Sequence, residues 1–164
     1  MSKKLKWGNQ IIITEVGNRT FKFHSKLEHR WAQYLEFLKR FGHVQYWNYE
    51  ETKFVFEGET HSPYDYTPDF IVHTSKGETE YHECKGCLRG RDVSRYIKLK
   101  KFYPKTVLHL VLDRPDIRAK KRLTRCLKYG YVNRVIYARD IEAGFIFHSE
   151  VCLWKDIFNQ AGIL

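Results

Sequence analysis

Apolar and polar positions alternate along IIITEVGNRTFKFH (11–24), which predicts two short strands joined at a Gly17-Asn18 turn. The period then lengthens. Leu27, Trp31, Tyr34, Leu35 and Leu38 fall at helical spacing in SKLEHRWAQYLEFLKRFG, with Gly42 as a C-terminal stop and Ser25/Glu28 in the form of a capping box. HVQYWNYEETKFVFEG reads as two strands rich in aromatic and β-branched residues, followed by a polar turn-forming stretch, ETHSPYD. A strand from about Tyr66 to Thr74, a Ser75-Lys76-Gly77 turn and a strand from about Glu80 to Lys85 make an antiparallel hairpin. The glycine-containing GCLRGRDV reads as a loop, and a helix is expected from Ser94 to Tyr103, stopped at Pro104. TVLHLVLD has the length of a buried strand. Pro115 and Asp116 open a further helix with Ala119, Leu123, Cys126 and Leu127 as its apolar stripe. A strand near Val132 to Tyr137 and a helix near Glu150 to Gln160 complete an α/β pattern, a central mixed sheet flanked by helices.

The 164 residues are most simply one domain, and 43% hydrophobic with 16% aromatic content speaks for a packed core rather than a disordered chain. No apolar run approaches membrane-spanning length and no signal-peptide pattern is present, so the expectation is a soluble, cytoplasmic protein with no membrane partner. Cys84, Cys87, Cys126 and Cys152 are expected as ordinary thiols. Cys84-Lys-Gly-Cys87 has the spacing of half a zinc site, but no second close pair completes it. The net charge of +10 is unevenly placed: Lys85 to Arg139 holds 17 Lys/Arg against 3 Asp/Glu, while the remainder is slightly acidic. A basic half spread over several elements favours a polyanion partner over an amphipathic membrane anchor.

Three charged residues stand inside strand-like runs. Glu83 and Lys85 alternate to one face with Cys84 on the other, and the hairpin can bring Asp69 beside them. Isolated buried charges are costly, so the three need one another or a metal. Two carboxylates and an ammonium suit phosphodiester hydrolysis: carboxylates hold Mg²⁺, and Lys85 can orient or help deprotonate the attacking water and offset charge. The alternative is a plain salt-bridge network in a sheet. Glu28 has an alternative too, as the helix cap of Ser25.

Pro68-Asp69 followed by Glu83-Cys84-Lys85 resembles the PD-(D/E)xK nuclease superfamily. SKLE upstream, the neighbours in YTPDF and ECKG, and a loop, helix, Pro104 and strand in matching order extend the resemblance over about Ser25 to Leu112. Within the superfamily the chain is most similar to the phage-type endonuclease I resolvases of branched DNA. Cys84 stands where Thr or Val is more usual in that family. The resemblance implies a restriction-endonuclease-like core at about 25–113, with 114–164 as a basic helix, strand and helix. It implies Asp69 and Glu83 as metal ligands, Lys85 as the catalytic lysine and Glu28 as an accessory acidic ligand. Mg²⁺ is the implied cofactor, with Mn²⁺ able to substitute. A phage-encoded enzyme acting in the host cytoplasm, as a symmetric dimer on Holliday junctions, would fit the family.

The basic half supplies candidate phosphate contacts: Arg89, Arg91, Arg95 and Lys98 directly after the catalytic strand, then Arg118, Lys121, Arg122 and Arg125 on one helix face. The expected function is a Mg²⁺-dependent DNA endonuclease selective for branched DNA. The alternatives are a non-catalytic nucleic-acid-binding module on the same fold, or a nuclease of linear duplex DNA or RNA.

Overall fold

The computed structural model describes residues 10–115 and 117–139. The helix expected near Glu150 to Gln160, and Cys152, lie outside the described residues. The N-terminal pattern folds as an antiparallel hairpin of β1 (Ile12–Val16) and β2 (Arg19–Phe23). Gly17 and Asn18 both take positive φ at its tip, the geometry that a two-residue turn between right-twisted strands demands. Helix α1 (Lys26–Arg40) follows. Ser25 caps it by accepting the Glu28 N–H through its hydroxyl at 3.2 Å.

The central sheet has five strands in the order β3 (Val44–Tyr49), β6 (Phe70–Thr74), β7 (Thr79–Lys85), β8 (Val107–Leu112) and β9 (Arg134–Tyr137). Pairing is antiparallel from β3 through β6 to β7 and parallel from β7 through β8 to β9, so the sheet is mixed. Helix α2 (Gly90–Phe102) makes the β7–β8 crossover that parallel strands require. A 3₁₀ turn (Ile117–Ala119) and α3 (Lys120–Lys128) make the next one.

Alternation along the strands divides the core in two. On one face α1 and the β1–β2 hairpin cover Trp47, Phe70, Val72, Cys84 and Val111. On the other, α2 and α3 cover Tyr66, Leu108, Leu110 and Leu112 through Tyr96, Leu99, Leu123 and Cys126. No helix among the described residues is long and apolar enough to cross a membrane.

Three expectations need correction. The strand expected from Tyr66 to Thr74 is broken: β5 (Asp65–Tyr66) pairs with β4 (Phe54–Val55) in a small separate sheet, and β6 starts at Phe70. Pro68 lacks an N–H and restricts Thr67, so a continuous ladder cannot pass through it. Helix α2 begins at Gly90, not Ser94, because the Asp92 carboxylate accepts the Arg89 N–H at 2.8 Å and caps the turn that the glycines had suggested was a loop. Leu127, expected in the apolar stripe of α3, is 44% exposed, whereas Ala119, Leu123 and Cys126 are buried.

The hairpin tip also locks onto α1. A side chain at Gly17 would meet the carboxyl group of Glu36, which accepts the Trp47 indole N–H at 3.1 Å. Gly17→Ala is therefore expected to destabilise the protein by about 1 kcal/mol or more, from the positive φ and the displaced Glu36 together. Urea unfolding measures this, and an unchanged midpoint would contradict the packing described.

Candidate active site

The site lies where β6 begins and β7 ends. In the antiparallel register Phe70 faces His82, so Asp69, one residue earlier, comes opposite Glu83. Backbone groups fix it there. The Asp69 carbonyl accepts the Glu50 N–H at 2.8 Å, and its Oδ2 accepts the Cys84 N–H at 2.7 Å. The Asp69 N–H in turn points at Glu83 Oε2, 3.3 Å away. Glu83 is 2% exposed and fully held: the Tyr66 hydroxyl donates to Oε2 at 2.9 Å and the Lys85 ammonium meets Oε1 at 2.5 Å. The expected convergence of Asp69, Glu83 and Lys85 is thus present, and the ion-pair alternative is present inside it, between Glu83 and Lys85.

Glu28 approaches from α1. Its Oε1 accepts the Ser25 hydroxyl at 2.7 Å, while Oε2 accepts the His24 N–H at 2.7 Å and the Tyr49 hydroxyl at 2.6 Å. The capping reading of Glu28 is realised, and Tyr49 ties that cap to β3. Glu28 also lies close enough to raise the proton affinity of Asp69. Among the described residues, however, Glu28, Asp69 and Glu83 do not bring three ligand atoms within 4.8 Å of one another. The three-carboxylate ligand set is not assembled; Asp69 and Glu83 meet through the Asp69 N–H. Cys84 and Cys87 join no such ligand group among the described residues either.

Electrostatics here are those of crowded negative charge. Burial, then the Glu83 carboxylate, push the Asp69 pKa well above the usual carboxylate range. Lys85 opposes this, Glu28 adds to it, and the Cys84 N–H relieves it slightly. For Lys85, burial works against the charge, but Glu83, Asp69 and Asp92 more than offset it and hold the pKa above its ordinary value. The raised pKa favours the ammonium form of Lys85, which can orient a water and offset charge. Burial, with Asp69, Glu28 and Glu83 nearby, pushes the Cys84 thiol well up, which keeps it inert.

Three tyrosines complete the surroundings. Besides Tyr49 and Tyr66, the Tyr96 hydroxyl is buried with no hydrogen-bond partner among the described residues and sits in the field of Glu83, Asp92 and Asp69. The tyrosines were missed in the sequence because aromatic positions in strands and helices read as core, and Asp92 because GCLRGRDV read as a loop.

The basic candidates divide. Arg89 and Arg91 are exposed at the start of α2, and Arg95 lies 3.8 Å from Asp92. Lys98 is instead turned inward. Its ammonium binds Glu59 at 2.7 Å, the Pro63 carbonyl at 3.0 Å and the His61 carbonyl, with the side chain 15% exposed. It clamps the 57–64 loop onto α2 rather than standing open to a phosphate. Arg118, Lys121, Arg122 and Arg125 are exposed on the 3₁₀ turn and α3, with Arg122 also reaching the Leu88 carbonyl at 3.3 Å. Both basic segments cover the sheet face toward which Glu83 and Lys85 alternate.

Comparison with protein-family models, with curated proteins and with solved structures returns no match.

The raised Asp69 pKa makes stability depend on pH. Between the ordinary carboxylate pKa and the raised one, the folded protein binds more protons than the unfolded chain, so stability falls as pH rises through that window. Asp69→Asn, which can still accept the Cys84 N–H, is expected to melt higher than wild type at pH 7–8. The difference should shrink as pH falls toward about 4, where both side chains are neutral. A lower melting temperature for Asp69→Asn at neutral pH would contradict the crowding of charge described.

Proposed function

We propose that the protein is a Mg²⁺-dependent endonuclease that hydrolyses phosphodiester bonds in DNA, on a restriction-endonuclease-like core of the PD-(D/E)xK type. Branched DNA is the first substrate class. The observation that carries this reading is the meeting of Asp69, Glu83 and Lys85 at one end of the β6–β7 hairpin, where negative charge exceeds positive. The residues fit a divalent cation. An oxygen-only donor pair suits Mg²⁺ or Mn²⁺, and the crowding that raises the Asp69 pKa is what such an ion would relieve.

Asp69 and Glu83 would hold the ion; when bound, it supplies an acidified water and charge neutralisation at the phosphate. The chain's own residues do the rest. Tyr66 and the Asp69 N–H hold Glu83 Oε2 in place, leaving Oε1 to exchange its partner Lys85. Freed from that ion pair, the Lys85 ammonium faces developing charge on phosphate oxygens. Glu28 positions the start of α1 and Tyr49 and adds negative field at Asp69. Exposed arginines and lysines at the start of α2 and on α3 draw in the phosphate backbone.

A binding-only reading rests on one specific observation: both Glu83 oxygens already have partners. Incubating the purified protein with labelled duplex, four-way junction, single strand and RNA, with and without Mg²⁺, separates the two readings. Magnesium-dependent cleavage supports the nuclease, and binding of every substrate without cleavage overturns it.

Asp69→Ala and Glu83→Ala are each expected to abolish cleavage while leaving the fold and DNA binding intact. Lys85→Ala should slow cleavage by about 10²-fold or more. Glu28→Gln is expected to lower the melting temperature more than the rate per folded molecule, because its hydrogen bonds to Ser25 and His24 are those of a cap. Wild-type turnover in Asp69→Ala under Mg²⁺ would refute the ligand assignment.

Neutralising Arg118, Lys121, Arg122 and Arg125 together should reduce the slope of log affinity against log salt by about 1 for each phosphate interaction removed. A larger reduction for four-way junctions than for linear duplex supports branched DNA. An unchanged slope means that this face takes no part in binding.

A further inference from the structure

Outside the Asp69–Glu83 site, one group of ligand-type side chains among the described residues lies on the opposite face of the same strand. Glu80 and His82 alternate to the α1 side of β7, and the parallel register sets His82 directly beside His109 of β8. Both imidazoles are buried, and their rings stack with centroids 5.2 Å apart. Glu80 Oε2 lies 3.2 Å from His82 Nε2 and 3.6 Å from His109 Nδ1, and all three ligand atoms fall within 4.8 Å of one another.

We propose that Glu80, His82 and His109 form a second metal site, one that takes a zinc-class divalent cation. Four-coordinate zinc with bonds of about 2.0–2.1 Å spaces its ligand atoms by roughly 3.4 Å, and the 3.2 and 3.6 Å separations bracket that value. The His109 distance is too long for a hydrogen bond and right for two ligands of one ion. Two imidazoles and one carboxylate select zinc, cobalt or nickel over magnesium, whereas Asp69 and Glu83 offer only oxygen. Water or an external ligand takes the fourth position. The ion staples β7 to β8, so it braces the strand that carries Glu83 and Lys85.

The metal-free form is latched by Trp31. An indole N–H only donates, and it reaches His82 Nδ1 at 3.1 Å, so Nδ1 is the acceptor and Nε2 carries the proton toward Glu80. An ion on Nε2 requires the neutral imidazole to move that proton to Nδ1, where it faces the Trp31 N–H. Loading therefore breaks the Trp31 bond, with no net proton released by His82. The exposed Arg134, whose charge acts on both Glu80 and His109, also opposes the cation.

The test uses the full chain carrying Asp69→Asn and Glu83→Gln, so that binding at the other site is removed and the result does not depend on the nuclease reading. Co²⁺ is expected to bind at one equivalent with the visible absorption of a tetrahedral, nitrogen-ligated ion, displaced by Zn²⁺. Glu80→Gln and His109→Gln should each weaken binding by at least about tenfold. Trp31→Phe should tighten it by roughly fivefold, the worth of one hydrogen bond, and Arg134→Gln should tighten it as well. Imidazole ¹⁵N spectra should show the His82 proton on Nε2 without metal and on Nδ1 with Zn²⁺. A folded protein that gives no cobalt band and no tautomer change overturns the proposal, as does binding that survives both ligand substitutions.

Discussion

Asp69 and Glu83 place two carboxylates at the open end of the β6–β7 hairpin, with Glu28 near enough to add to their charge and one ammonium, Lys85, against them. Charge in so little water is tolerated only when its oxygens are answered by donors, and the neighbouring structure supplies them. The Cys84 and Asp69 N–H groups come from the hairpin itself, the Tyr66 hydroxyl from a two-residue strand that crosses beside it, and Lys85 from two positions along β7. The break at Pro68 belongs to the same arrangement.

The strand alternation that gathers these groups also divides them. Odd positions of β7 face α2 and α3, and even positions face α1, where Glu80, His82 and Cys84 lie. The seven-residue β7 thus presents Glu83 and Lys85 on one side and Glu80 and His82 on the other. The sheet separates the two chemistries while β7 couples them mechanically.

Local spacing alone specifies some elements. The stripe from Leu27 to Leu38 and the SKLE cap define α1, and the Glu83-Cys84-Lys85 alternation needs only a strand to work. The Asp69 position followed from one short turn, which leaves little freedom of register. Elements whose identity depends on distant partners were hidden. β5 is two residues in a polar stretch and exists because Phe54 pairs with Tyr66. Helix α2 starts earlier than its apolar pattern because Asp92 reaches back to Arg89, a signal that Gly86 and Gly90 masked. Lys98 has the sequence setting of a phosphate contact, but Glu59, far earlier in the chain, holds it. His82 and His109 meet through a parallel register that no local pattern encodes.

If Asp69 and Glu83 are the ligands of a divalent ion, crystals of the wild-type protein grown with Mn²⁺ will show it by anomalous diffraction. A manganese peak is expected roughly 2.1 Å from oxygens of both carboxylates, with the Lys85 ammonium moved off Glu83 Oε1. Well-diffracting crystals with no peak at that position, and Lys85 still paired to Glu83, would contradict the assignment.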